Sequence, residues 1–197
     1  MIDDAARAVM ARLEAQDAAE RERGTPREVR LRQISPDVGR FLHTIVLARR
    51  PRTIVEIGTS GGYSTIWLSL AARDIGASVT TLEIDPKKVA AATANLREAG
   101  LDGIATIVEG DAAAYLRARR EPFDFVFLDA EKEDYAAYLD MVVPLLSPGG
   151  VLVADNLLSH ADDLAPFRDR ALADKRLSGL VVPIGRGELL AVKVGVN

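Results

Sequence analysis

Two short segments of this chain end in oxygen-bearing side chains suited to holding a cation. Phe125-Val126-Phe127-Leu128-Asp129 is an apolar run closed by a carboxylate, and Val151-Leu152-Val153-Ala154-Asp155-Asn156 repeats the pattern. In an open parallel sheet, ligands gather at the carboxyl ends of the strands, so Asp129, Asp155 and Asn156 can converge there. Three oxygen donors with no His or Cys among them favour a hard divalent cation such as Mg²⁺, with positions left for water or substrate oxygens. The plainer alternative is that these side chains cap the helices that follow. Lys132 stands three residues past Asp129. Beside a cation it is placed to act as a general base; alone it reads as a surface lysine.

A second constellation surrounds the turn Glu56-Ile57-Gly58-Thr59-Ser60-Gly61-Gly62. Glycines at a strand-to-helix turn let the backbone approach a ligand, and the helix start offers unpaired N–H groups. Ser60 stands where a dinucleotide-binding G-x-G-x-x-G motif needs its second glycine, which weakens a pyrophosphate reading. Glu83, at the end of the next β-branched run, is placed to accept hydrogen bonds from ribose hydroxyls. Glu56 would repel a phosphate and welcome a cationic amino group. Acids on the turn and across from it, with no Lys or Arg in the turn, suit S-adenosylmethionine better than NAD or ATP.

The elements that must position these groups follow from the pattern. An Ala-, Glu- and Arg-rich helix is predicted over residues 2–23, stopped by Gly24-Thr25-Pro26, and a second helix opens at the Ser35 cap and Pro36. Strand-like runs follow at Thr53–Ile57, Ser78–Glu83, Ala105–Glu109, Phe123–Asp129 and Gly150–Asp155, alternating with helices, one opened by Asp85-Pro86. That alternation predicts βαβ units and a doubly wound parallel sheet covered by helices on both faces. Leu180–Ile184 and Glu188–Val194, separated by Gly185-Arg186-Gly187, read as a hairpin. The last strand is therefore expected to run antiparallel, at or near the sheet edge. One α/β domain is expected, with N-terminal helices over 1–50 and the sheet over 51–197.

Composition narrows the classes. At 197 residues, 48% hydrophobic and 27% charged, the chain suits one globular core. A net charge of −4 disfavours nucleic acid as a partner. The absence of cysteine removes thiol catalysis, disulfides and Cys-based zinc sites. An acidic start, Met1-Ile2-Asp3-Asp4, and no apolar stretch of about 20 residues point to a cytoplasmic protein with no membrane partner.

Taken in order, several segments resemble the cation-dependent class I O-methyltransferases, the group of catechol and caffeoyl-CoA O-methyltransferases, in a bacterial-type form. They are Ser35–Leu42, the Glu56–Ser64 turn, Leu82–Asp85, Glu109–Ala112, Leu128–Tyr135 and Asp155-Asn156. The glycine turn is shared by many methyltransferases; Asp-x-x-Lys combined with Asp-Asn is far more specific. The resemblance implies a seven-stranded sheet with a reversed last strand. It also implies a cofactor pocket lined by Glu56, Gly58, Ser60, Ser64, Glu83, Asp111, Ala112 and Asp129. Asp129, Asp155 and Asn156 would hold the metal, Lys132 would be the base, a hydroxylated catechol-like or phenolic small molecule would be the acceptor, and the enzyme would be a homodimer.

Departures from that pattern bear on the acceptor. The only tryptophan, Trp67, falls in the helix after the glycine turn and reads as core, and positions 131 and 157–163 carry no aromatic gate. Arg186 at the hairpin tip, where plant relatives often have an acid, either meets an anionic substrate or is an ordinary solvated turn residue. His43 and His160 have no sequence partners and read as structural or solvent-facing. Two other functions stay open. One is methylation of a hydroxylated tRNA base, with Arg49–Arg52 and Arg117–Arg120 as phosphate contacts; the other is S-adenosylmethionine binding without catalysis.

Overall fold

A computed structural model describes residues 2–26 and 29–195. Helix α1 (Asp4–Glu22) starts where the Asp3 carboxylate accepts from the Ala6 N–H. Helix α2 (Pro36–Arg49) starts at Ser35, whose hydroxyl accepts from Val38 N–H, with Pro at its first turn. Then β1 (Thr53–Ile57), α3 (Tyr63–Ile75), β2 (Ser78–Glu83), α4 (Pro86–Glu98) and β3 (Ala105–Glu109) follow in alternation. The chain continues through α5 (Ala112–Ala118), β4 (Phe123–Leu128), a 3₁₀ turn (Lys132–Asp134), α6 (Tyr135–Leu145) and β5 (Leu146–Ala154). It closes with α7 (Ala165–Ala173), β6 (Leu177–Val182) and β7 (Glu188–Lys193).

The seven strands form one sheet in the order β3-β2-β1-β4-β5-β7-β6. Only β7 runs against the others, antiparallel to both β5 and β6. The predicted hairpin is present, with a difference in placement: its first strand, β6, takes the edge, and the reversed β7 is inserted beside β5. Burial explains the choice. Leu189 and Ala191 of β7 are fully buried, whereas Ser178, Gly179 and Leu180 of β6 are exposed, as an edge strand tolerates. Strand β6 also begins three residues earlier than predicted and β5 four residues earlier, because backbone pairing continues past the apolar runs that marked them.

Side chains alternate between the two faces of each strand, so the sheet divides two cores. Ile54, Phe125, Phe127, Val151 and Val153 pack with α1, α2 and α3. Val55, Ile57, Val126, Leu128 and Leu152 pack with α5, α6 and α7. Trp67 is core, as its position predicts; a Cβ on Gly39 would lie 2.2 Å from its ring nitrogen, so glycine lets α2 press against α3. His43 meets the Trp67 ring edge-on at 6.0 Å, and burial holds its pKa below the ordinary value. Among the described residues, no helix is long and apolar enough to cross a membrane.

Candidate active site

Register brings the strand ends together. Ile57 lies beside both Leu82 and Leu128, and Leu128 beside Ala154. The next residues continue the ladder: Gly58 N–H donates to Leu82 C=O, Asp129 N–H to Ile57 C=O and Asp155 N–H to Leu128 C=O. Gly58, Asp129 and Asp155 therefore stand side by side at the carboxyl edge of the sheet. A cavity of about 530 Å³ opens there, large enough for a cofactor and a small second ligand.

The glycine turn is shaped by contacts that only glycine permits. Gly58 has φ +101°, and a Cβ on it would lie 2.2 Å from the Asp129 carbonyl oxygen. Ser60 is also left-handed, at φ 49°. Its N–H donates to Glu83 Oε2 at 2.8 Å, and its hydroxyl donates to Leu31 C=O at 2.6 Å. Leu31 is held from its other side too, because its N–H donates to Glu20 Oε2 at 2.8 Å. The segment before α2 thus forms a wall of the cavity, and Arg32 ties it to Glu131 across the opening.

The predicted cofactor residues divide into two groups. Gly58, Ser60, Ser64, Glu83, Asp111, Ala112 and Asp129 all line the cavity. Glu83 Oε1 accepts from the N–H groups of Ile84 and Asp85, which fixes the carboxylate against the turn. Asp111 caps α5 by accepting from Ala113 and Ala114. Glu56 differs: it is fully buried on the α3 side of the sheet and forms no part of the cavity lining. Its Oε2 accepts from the hydroxyls of Thr65 and Thr81, while Oε1 has no hydrogen-bond partner among the described residues. Burial raises its pKa to about 7.

Around Lys132 the cavity becomes polar. Its Nζ donates to Asp129 Oδ1 at 3.2 Å, to Ala130 C=O at 2.9 Å and to the Tyr135 hydroxyl at 3.1 Å. The Lys132 side chain is only 9% exposed. Asn156, left-handed at φ 77°, donates from Nδ2 to Asp129 Oδ1 at 2.9 Å. Asp155 is buried, and its Oδ1 accepts from Asn156 N–H. Burial and the nearby Asp129 raise its pKa to about 6. Asp129, Lys132 and Asn156 line the main cavity, while Asp155 borders a second cavity that shares Arg21, Gln33, Ile34 and Arg186 with it.

Two residues were missed by motif reading. Tyr135 is fully buried, and its hydroxyl joins Lys132 Nζ to the carbonyls of Leu128 and Asp155. Its signal was present, since it stands three residues past Lys132, one helical turn on. Glu188 opens β7, fully buried, with its carboxyl group against that of Asp155. Burial and the facing Asp155 push its pKa up to about 11. No local pattern marks it, because it reaches the site only through the insertion of β7 beside β5.

Asp129, Asp155 and Asn156 are oxygen-bearing residues of the kind a hard cation takes, at adjacent strand ends, with Asp155 buried, Asp129 half-buried and the Asn156 amide nitrogen on Asp129. No group of three His, Cys, Asp or Glu side chains able to hold a metal occurs among the described residues.

Comparison with known proteins decides the class. The family described as methyltransferase domain matches residues 55–157. The catechol O-methyltransferase of Mycobacterium tuberculosis is 39% identical over 171 residues, covering 86% of this chain and 74% of the relative. The chain belongs to the S-adenosylmethionine-dependent O-methyltransferases. The crystal structure of the O-methyltransferase from Bacillus cereus in complex with SAH has a TM-score of 0.79 and 30% identity. That match covers 94% of this chain and 90% of the other. A cofactor-bound protein from MTB matches with a TM-score of 0.81 and 34% identity, covering 97% and 90%. The methyltransferase's seven-stranded sheet with one reversed strand is the architecture its sequence predicts.

Proposed function

We propose that this O-methyltransferase methylates a small hydroxylated aromatic acceptor of the catechol or phenol type, with help from a divalent cation. The observation carrying this reading is that Lys132, Asp129 and Asn156 face the same cavity as Glu83, Ser60 and Asp111. Glu83 would take the ribose hydroxyls, Ile84 and Ala112 the adenine, and the Gly58–Ser60 turn the amino-acid end. Glu56 supports that turn from below. Asp129, Asp155 and Asn156 would hold Mg²⁺, which when bound lowers the pKa of an acceptor hydroxyl.

The chain's own residues do the rest. Lys132, steadied by Asp129 and Tyr135, is the base assigned to take the proton of the acceptor hydroxyl. The oxygen then bonds the methyl carbon as the carbon–sulfur bond breaks, and that electron pair stays on sulfur. Walls that keep oxygen, carbon and sulfur in line supply much of the acceleration. The homodimer implied by the family resemblance and the cytoplasmic location expected from the sequence belong to the same reading, as does one catalytic unit spanning residues 1–197.

A tRNA acceptor is less favoured because several of its candidate phosphate contacts are engaged within the chain. Arg49 donates to Gly149 C=O, Arg117 pairs with Asp111, and Arg120 caps α5 through the carbonyls of Arg117 and Arg119. The test is methyl transfer from S-adenosylmethionine to a panel of catechols and hydroxycinnamoyl compounds, with and without EDTA. Chelation is expected to abolish turnover, and Mg²⁺ to restore it. Turnover unchanged by EDTA would overturn the cation role, and cofactor binding with no turnover would leave a binding protein.

A further inference from the structure

The hairpin tip is a built part of the cavity. Leu158 and Ser159 N–H both donate to Arg186 C=O, at 2.8 and 3.0 Å, and Leu157 N–H donates to Gly187 C=O at 2.8 Å. Gly187 has φ +90°, and a Cβ there would lie 2.4 Å from the Leu158 side chain; a Cβ on Gly185 would lie 2.3 Å from that of Val38. The tip is thus wedged between α2 and the loop leaving Asp155-Asn156. That fixes Arg186, half-buried, in the lining shared with Lys132, Asn156 and Ser159.

Its charge is unanswered. Arg186 makes no ion pair or hydrogen bond through its side chain among the described residues, while the acids that share its second cavity are engaged elsewhere. Asp17 pairs with Arg21, Glu14 accepts from the Tyr63 hydroxyl, and Asp155 accepts from the backbone of Asn156. The Nε of Arg30, on the wall before α2, is buried with no partner among the described residues either. The other acceptor-side cations are satisfied: Lys132 by three oxygens and Arg32 by Glu131. A guanidinium presented to a cavity is open to an anionic ligand, and a planar carboxylate matches its fork of donors. Aromatic grip is scarce, since Tyr63 and Tyr138 are the aromatic rings of this lining other than His160.

We propose that Arg186 is the specificity residue for the acceptor, and that the acceptor is a hydroxylated aromatic carrying a carboxylate. This rests on the small-molecule acceptor reading above. The carboxylate would sit on Arg186, away from the hydroxyl presented to Lys132, so charge supplies the orientation that an aromatic gate supplies elsewhere.

The test compares 3,4-dihydroxybenzoate and 3,4-dihydroxycinnamate with uncharged catechol, for the wild type, Arg186→Gln and Arg186→Lys. One measurement is methyl transfer; the other is calorimetric binding of each acceptor to the complex with SAH, which needs no turnover. The wild type is expected to prefer the acids, and Arg186→Gln to shrink that preference by roughly 10–100-fold, the loss of one charge-assisted pair. Arg186→Lys is expected to keep part of it, and it serves if the Gln variant fails to fold. A preference that stays within about twofold in both variants would overturn the proposal while leaving the methyl-transfer reading intact. Absence of turnover with every acceptor would sink that reading, and the binding data would still decide whether Arg186 selects the carboxylate. Equal binding of acid and neutral acceptors by the wild type would refute it.

Discussion

Replacing Gly58 with alanine tests how the cofactor turn is locked to the acceptor side. The substitution has two costs. A left-handed conformation costs a residue with a Cβ about 1–2 kcal/mol, and Gly58 lies at φ +101°. The new Cβ would also meet the Asp129 carbonyl oxygen at 2.2 Å, and backbone cannot swing aside as a side-chain tip can. Overpacking of this kind costs about 1–3 kcal/mol. Gly76 supplies the comparison, because it has φ +72° with nothing within 4 Å of its would-be Cβ. Alanine at 76 reports the strain alone, so the difference between the two variants isolates the clash. In a domain of this size each kcal/mol moves the melting temperature about 2–4 °C, so Gly58→Ala should melt roughly 2–12 °C below Gly76→Ala. Calorimetric melting measures it, and methyl transfer reads the local consequence. Displacing Asp129 and Lys132 by about 1 Å can cost about 100-fold in rate. If both variants melt together and transfer methyl groups alike, the contact between turn and Asp129 does not hold the site.

Other outcomes follow from the same geometry. Glu56 holds its proton up to about pH 7 in the folded chain, against an ordinary value of 4.5. Between those values the unfolded chain has released a proton that the folded chain keeps, so wild-type stability falls as pH rises through that window. Glu56→Gln removes this loss, so its stability relative to the wild type should grow by about 3 kcal/mol from pH 4.5 to pH 7 in the apo protein; denaturant melts giving a pH-independent gap would refute it. Lys132→Met should lower kcat by roughly 10²–10⁴-fold with a far smaller change in S-adenosylmethionine affinity; equal losses in both would make Lys132 a cofactor residue. Ser60→Ala removes the hydroxyl bond to Leu31 C=O. Stopped-flow release of SAH should quicken as that wall loosens, and an unchanged off-rate would show that Glu20 alone holds Leu31.

Much of this was legible in the chain, because it depends on local rules. Ser35-Pro36 and Asp85-Pro86 open helices, β-branched runs make strands, and strand-end residues gather at one edge of a parallel sheet. Those rules are enough to bring Asp129 and Asn156 together and to place Gly58 beside them. Side-chain direction was less accessible. Glu56 sits one residue before Ile57, and strand alternation turns it under α3 instead of into the cavity. Its role as a support is invisible until the two faces of the sheet are assigned.

Two features belonged to tertiary structure alone, and a third, Arg186, was a sequence candidate that only the fold could place. The loop at 30–34 has no motif, and it becomes a wall because Glu20, Ser60 and Glu131 hold it from three separate elements. Glu188 and Arg186 reach the site only because β7 inserts between β5 and β6, a choice made by long-range burial. The sequence by itself determined the chemistry available at the strand ends: oxygen donors, a lysine and a glycine turn open to an adenosyl cofactor. The packing of distant segments decided which charges were satisfied and which were left facing the cavity, because a charge finds its partner in space and not along the chain.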